Sequence, residues 1–273
     1  MTAHLTTLVL GGTGKTGRRV ATRLAARGVP HRVGSRAGTP PFDWTDPDTW
    51  PPVLRGVGAV YLAYQPDLAA PGAVETVGAF ARLAAGEGVR RLVLLSGRGE
   101  PEAVRAERAV AASGIPTTVL RASWFAQNFS EGYLVEPVRA GVVALPVGEV
   151  PEPFVDVDDI ADAAVAALTS DAHAGATYEL TGPRPLTFAE AVAEIAAAAG
   201  RPVRLLPVDI EAYRADLAAA GVPADVVALL TYLFTELLDG RNARPADGVE
   251  RILGRPPRDF RAYAEQAAGV WRA

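Results

Sequence analysis

The run LVLGGTGKTGRRV, Leu8–Val20, sets Gly11, Gly14 and Gly17 three residues apart. The short apolar stretch Leu5–Leu10 precedes it, and Val20, Leu24 and Ala25 follow at helical spacing. A strand, a glycine turn and a helix in that order make a phosphate cradle. One glycine permits the tight turn, one lets the backbone approach a pyrophosphate, and the last lets helix and strand pack closely. The free N–H groups at the helix start then face the anion. The same stretch contains Gly14-Lys15-Thr16, the end of a nucleotide-triphosphate loop. That motif needs a glycine at residue 9, where this chain has Val9. The pattern therefore predicts a dinucleotide rather than ATP.

A second strand, His31–Arg36, ends in Ser35-Arg36 with no acid before Asp43. An acid at this point holds the ribose diol of NAD, whereas an arginine accommodates the 2′-phosphate of NADP. Arg36, with Lys15 in the glycine turn, favours NADP(H) over NAD(H).

The usual short-chain dehydrogenase protonates its carbonyl substrate with a Tyr-x-x-x-Lys pair, the lysine lowering the tyrosine pKa. Lys15 is the single lysine among 27 basic residues, and the helix expected over Glu102–Ala112 has no tyrosine. Its Arg105 and Arg108 stay protonated and are poor acids. Substrates that are already electrophilic, such as an iminium or a quinone, need a hydride at short range and little acid catalysis. Ser96 is the candidate for polarising the substrate. Trp124, Phe125, Asn128, Phe129 and Tyr133 crowd one short segment and suit a flat or cationic organic molecule, with Phe125 and Phe129 equally suited to the core. Asp158 and Asp159, within the run Asp156–Asp159, read as helix-capping groups rather than a metal site.

These residues need a frame. The chain has 273 residues, 49% hydrophobic and 21% charged, with net charge −4 and no cysteine. That composition is globular and excludes disulfides, thiol catalysis and Cys-ligated zinc. Three histidines, His4, His31 and His173, are too far apart in sequence to suggest a metal centre. The acidic balance disfavours nucleic acid as a partner. No apolar run suggests a membrane span, and no signal peptide is evident, so a cytoplasmic protein is expected.

Strands at Gly58–Tyr64, Arg90–Gly97 and Pro116–Ser123 alternate with helices at Ala73–Ala85 and Glu102–Ala112, the rhythm of βαβ units and a parallel sheet. Beyond Ser130 the rhythm changes. Short strands at Gly141–Gly148 and Ala176–Gly182 mix with helices, among them Thr187–Gly200, which opens on a Thr187/Glu190 capping box. The expected fold is α/β: a Rossmann-like doubly wound parallel sheet. Residues 1–130 would bind NADP. Residues 131–273 would be built onto the sheet, with some segments returning to it. The apolar helix within Ala224–Gly240 fits core, pocket lid or the surface of a homodimer.

The segments GGTGKTG, SR and FDW, with RRLVLLS, TVLRASWFAQNFS and PFVDVDDIADAA, resemble the NmrA-like branch of the atypical short-chain dehydrogenases. They are most similar to its agroclavine dehydrogenase/festuclavine synthase subgroup and bacterial relatives. The resemblance implies a strand order 3-2-1-4-5-6-7, a smaller C-terminal α/β substrate lobe formed mainly by residues 131–273, and reduction of small molecules, azo compounds among them, with NADPH. It also admits a non-catalytic, NADP(H)-binding redox sensor. It implies that Gly11, Thr13, Gly14, Lys15, Thr16 and Gly17 hold the phosphates, that Ser35 and Arg36 meet the adenosine phosphate, and that Asp43 and Trp44 lie near the adenine. Tyr64 and Gln65 would border the ribose, and Ser96 and Gly97 the nicotinamide ribose. Ala122, Ser123 and Trp124 would flank the nicotinamide.

Overall fold

The computed structural model describes residues 6–272; Leu5 and His4 lie outside them. In chain order the elements are β1 (Thr6–Leu10), α1 (Lys15–Ala26), β2 (His31–Gly34), α2 (Trp50–Leu54), β3 (Val57–Leu62), α3 (Ala73–Gly86), β4 (Arg91–Gly97), α4 (Pro101–Ala111) and β5 (Thr117–Ala122). Then come α5 (Asn128–Glu131), α6 (Val135–Ala140), β6 (Val142–Leu145), α7 (Val157–Thr169), β7 (Thr177–Leu180), α8 (Phe188–Ala199) and β8 (Arg204–Pro207). The chain ends through α9 (Ile210–Ala219), α10 (Ala224–Tyr232), a π-helical turn at Leu233–Leu237, α11 (Gly248–Leu253) and α12 (Phe260–Trp271).

These elements form two compact units. The first holds the chain up to Ala122, then Val157–Leu180 and Asp247–Arg255. The second holds Ser123–Asp156, Thr181–Ala246 and Pro256–Ala273. The first change of unit comes at Ala122–Ser123, earlier than the expected residue 130. The reason is local: Ser123 at the end of β5 already donates its hydroxyl to the Pro153 carbonyl of the second unit.

The first unit is built on one parallel sheet in the order β2-β1-β3-β4-β5-β7. All six residues of β3 are buried, the pattern of a strand covered on both faces. Leu8, Leu10, Val60, Leu62, Leu92 and Leu94 share one apolar cluster with Val77, Phe80 and Ala81 of α3 and Ala103, Ala106 and Val110 of α4. α1 packs with α7, which lies on β3, β4 and β5. The fold is a doubly wound, Rossmann-like sheet.

One expected strand is missing. The order 3-2-1-4-5-6-7 requires a strand outside β2, but the chain after β2 turns back instead. The Ser35 carbonyl accepts N–H bonds from Gly38 and Phe42, at 3.0 and 2.9 Å. Pro40 and Pro41 have no N–H to offer a ladder. The segment beyond them makes only the local Asp43–Asp46 bridge. β2 is correspondingly shorter than the sequence suggests, ending at Gly34.

Asp158 and Asp159 stand in the first turn of α7, favourable for the helix dipole as expected, and their carboxylates also hold ion pairs. Asp158 binds Arg19 and Arg23 of α1, at 3.2 and 2.6 Å, and fully buried Asp159 binds Arg255 at 2.7 Å. Their charge is neutralised by guanidinium groups.

In the second unit β6 and β8 pair in parallel. The aromatic core contains Phe129, Phe154, Phe188, Phe234, Phe260, Tyr263 and Trp271. The Thr187/Glu190 capping box is present at the start of α8. α10 has no buried residue and leaves Val226, Val227, Leu229 and Leu230 half-buried. Among the described residues no helix is long and apolar enough to cross a membrane.

Candidate active site

Because β1 to β5 run parallel, the residues that follow them share the carboxyl edge of the sheet, where open α/β sheets take their ligands. The turn after β1 is shaped by missing side chains. Gly11 has φ +63°, and its carbonyl accepts the Gly14 N–H at 2.9 Å. A Cβ on Gly17 would lie 2.2 Å from that carbonyl oxygen, so α1 approaches the turn only because residue 17 has no side chain. Gly14 caps α1 in an extended conformation without a side-chain hydrogen bond, and the first turn carries no acid. Gly14 itself thus offers these amides no side-chain cap, and the helix dipole there favours an anion. Thr13 is exposed and Lys15 half-buried. Thr16 is buried beside the Tyr61 hydroxyl, so its side chain faces the sheet.

Arg36 is exposed just past β2. Hydrogen bonds from the Thr45 amide and hydroxyl hold the Asp43 carboxyl below its ordinary pKa, with a smaller contribution from Arg36. Trp44 meets Tyr64 at 5.0 Å between ring centroids and Phe42 at 4.9 Å, forming an aromatic wall beside the ends of β2 and β3. Gln65 is exposed next to it. At the ends of β4 and β5, Gly97 pairs with Ala122.

Ser96 is placed otherwise than its expected polarising role requires. It is 4% exposed, and its hydroxyl donates to Glu107 Oε1 at 2.6 Å. Arg121 grips the same carboxylate from β5 through two bonds, at 2.9 and 2.6 Å. The Ser96 proton is committed to this buried network, which ties α4 to β4 and β5.

The second unit gathers the remaining candidates. Trp124 packs edge-on to Phe188, with centroids 5.4 Å apart, and lies tilted against Phe234 at 5.2 Å. Its Nε1–H is buried with no hydrogen-bond partner. Phe125 is half-buried in a main-chain bridge to Val155, Asn128 is half-buried at the start of α5, and Tyr133 is 41% exposed. Phe129 is core: it is fully buried, and its carbonyl accepts the Trp271 indole N–H at 2.8 Å.

Sequence reasoning missed two members of this cluster. Tyr213, on α9, stacks edge-on against Phe234 at 5.5 Å, and its hydroxyl is buried without a partner. Desolvation pushes that hydroxyl's pKa up to about 12. Phe234 sits in the π-helical turn, an irregularity often found at functional sites. Neither residue follows a strand, so the rule that located the others gave no signal for them.

No protein-family model matches the chain. Individual proteins do. It is 34% identical to (4-alkanoyl-5-oxo-2,5-dihydrofuran-3-yl)methyl phosphate reductase of Streptomyces griseus, covering 96% of this chain and 97% of that protein. It is 31% identical to agroclavine dehydrogenase of Claviceps fusiformis, covering 98% of this chain and 99% of the relative. The chain belongs to the NmrA-like atypical short-chain dehydrogenases/reductases. It is an NAD(P)H-dependent oxidoreductase of that family. Its fold is that of a solved NADPH-dependent quinone oxidoreductase from Escherichia coli, with TM-score 0.79, 20% identity and coverage of 96% and 99% of the two chains. In this NmrA-like chain the dehydrogenase tyrosine and lysine are absent from α4, whose sequence is PEAVRAERAVA.

Proposed function

We propose that the protein is an NADPH-dependent reductase of small electrophilic molecules, of iminium, quinone or azo type, working without a tyrosine–lysine acid pair. The observation that carries this reading is α4. Where the usual enzymes place their acid, this helix turns Ala103, Ala106 and Val110 into the core and commits Glu107 to Ser96 and Arg121. Bound NADPH would supply the hydride. The glycine turn fits its phosphates on steric and electrostatic grounds. Arg36 is the guanidinium for the 2′-phosphate, which gives NADP(H) preference over NAD(H). Trp44 and Tyr64 offer the adenine end an aromatic surface.

The residues of the second unit would select the substrate. Trp124, Phe234 and Tyr213 pack ring against ring and carry two buried donors that lack partners, a combination suited to a flat acceptor carrying oxygen or nitrogen. The reading needs no protonated side chain at the reacting atom, because a quinone takes its proton after hydride arrives and an iminium requires none.

The test mixes purified protein, NADPH and a panel of quinones, azo dyes and cyclic iminium salts, and follows loss of the reduced nicotinamide absorbance. Turnover on at least one class supports the reading, with a lower KM for NADPH than for NADH. Tight NADPH binding without turnover on any class would replace it by the redox-sensor reading.

A further inference from the structure

The second unit holds its helical hairpin, α9 and α10, by few groups. Tyr213 is the single buried residue of α9, and α10 has none. α10 packs on α9 and continues into the π-helical turn, which buries Phe234 and Leu237. Ile210, Leu217 and Leu230 rest on the core only partly covered. Firm structure lies at both ends of the hairpin. Before it, the Val208 N–H donates to the Leu145 carbonyl at 3.1 Å, extending the β6–β8 pairing, and Asp209 caps α9 by accepting the Ala212 N–H at 2.7 Å. After it, Gly240 has φ +94°, and Asn242 is buried again.

The two rings that anchor the hairpin, Tyr213 and Phe234, lie edge-on at 5.5 Å between centroids. Phe234 also meets Trp124 at 5.2 Å and Phe188 at 6.2 Å. This anchorage is imperfect. The Tyr213 hydroxyl and the Trp124 Nε1–H are buried without hydrogen-bond partners, which disfavours the closed arrangement. Both atoms are sealed from solvent, so any molecule that bonds them must first displace what covers them. The hairpin is the element most easily displaced, because local opening is cheapest where few apolar groups are buried. A ligand lone pair held by either donor is buried only once the hairpin has closed again, so such a ligand favours the closed form over the open one.

We propose that the α9–α10 hairpin and its π-helical turn form a lid on the aromatic site, hinged at Asp209 and Gly240 and latched by Tyr213 and Phe234, which opens to admit the electron acceptor and closes over it. The inference rests on the reading that Trp124, Phe234 and Tyr213 receive that acceptor. Of the roles the sequence leaves to the apolar helix within Ala224–Gly240, pocket lid is the one this arrangement fits. Opening uncovers the two donors, and an acceptor oxygen or nitrogen takes a hydrogen bond from one of them. Reclosure buries that bond and keeps water from the path of the hydride. Without an acceptor the same closure leaves both donors unpaired.

Hydrogen exchange read by mass spectrometry tests the lid in the full chain with NADP+ present, alone and with menadione or methyl red; the oxidised cofactor prevents turnover. Without an acceptor, the amides of α9 and α10 should exchange about a hundredfold faster than those of α8, which open only with the whole unit. At ten times its Kd, an acceptor should slow them about tenfold. Exchange no faster than that of α8 would overturn the lid and leave the acceptor reading standing. So would fast exchange that an acceptor turned over with NADPH fails to slow. If neither compound is turned over with NADPH, the aromatic cluster does not receive such acceptors, and the lid's role falls with that reading. Gly240→Ala bears on the hinge alone. A Cβ there meets no atom within 4 Å, so the substitution acts through the backbone and strains the closed form. Lid exchange should quicken by about five- to thirtyfold. Stopped-flow quenching of tryptophan fluorescence should show acceptor association and dissociation quickening by the same factor, at unchanged Kd. Faster exchange with unaltered association, or no change in either, would refute the gate.

Discussion

The glycine turn and the aromatic cluster would recognise their proposed ligands by opposite means. In the first unit the candidate site is defined by atoms that are missing: no Cβ at Gly17, no side-chain cap at Gly14, no acid in the first turn of α1. On the proposed reading the backbone would do the binding, and its partner would be fixed in charge and shape. In the second unit the proposed site is made of large rings, and its selective elements would be two buried donors on Trp124 and Tyr213 that lack partners. A buried unpaired donor costs about 1–3 kcal/mol, so such groups persist where a ligand satisfies them. The proposed contrast is that of a constant reagent held by main chain and a variable substrate held by side chains.

The largest effect should come from filling the missing-atom site. Gly17→Val would place side-chain atoms against the Gly11 carbonyl, which belongs to backbone and cannot turn aside. The expected result is NADPH affinity lowered by about a hundredfold or more, equivalent to about 2.7 kcal/mol. Overpacking should add a stability loss of about 1–3 kcal/mol. Calorimetric titration and thermal melts measure the two separately. Unchanged affinity in a folded variant would remove the glycine turn from the binding reading.

Arg36→Ala comes next. Losing a guanidinium from a phosphate removes a charge-assisted bond, about 1.5–3 kcal/mol. NADPH affinity should fall by roughly ten- to a hundredfold while NADH affinity stays constant, because NADH has no 2′-phosphate. An equal loss for both cofactors would place Arg36 elsewhere in the site and remove the basis for NADP preference.

The difference between the regions also explains what the sequence discloses. A glycine at a fixed spacing has few physical excuses, so the turn and its parallel strands are legible from spacing alone, whereas the candidates behind the strands came from the family resemblance. The missing outer strand was not legible by resemblance, since it depends on Pro40, Pro41 and the Phe42 amide returning to Ser35. Ser96 follows the positional rule, but its hydroxyl is committed to Glu107, eleven residues on, and no local signal reports where a side chain's proton goes. Tyr213 and Phe234 enter the cluster only through tertiary packing. Rings at helical spacing are ordinary core, and the feature that distinguishes Tyr213 is an unbonded hydroxyl visible only once the chain is folded.

A ring deletion sharpens the second half of the contrast. Phe234→Ala removes the ring that Trp124, Phe188 and Tyr213 all touch. Phe-to-Ala substitution in a packed site costs about 3–5 kcal/mol of stability. If the cluster binds substrate, the folded fraction should also show KM raised about tenfold at unchanged NADPH affinity. A stability loss with KM intact would make the cluster core alone.

The smallest effect is the most discriminating. Tyr213→Phe keeps the ring and deletes only a hydroxyl that has no partner in the free protein. If that hydroxyl is incidental, removing it relieves a desolvation cost, and the variant should melt at or slightly above the wild-type temperature with kinetics unchanged. If it waits for a substrate oxygen or nitrogen, the melting result is the same but KM rises several-fold, about 0.5–1.5 kcal/mol for the bond lost. That rise should appear for quinones and azo compounds and vanish for a cyclic iminium, which offers no lone pair at its reacting nitrogen. A neutral stability change paired with substrate-dependent KM separates recognition from packing, because a packing defect would impair all three classes alike.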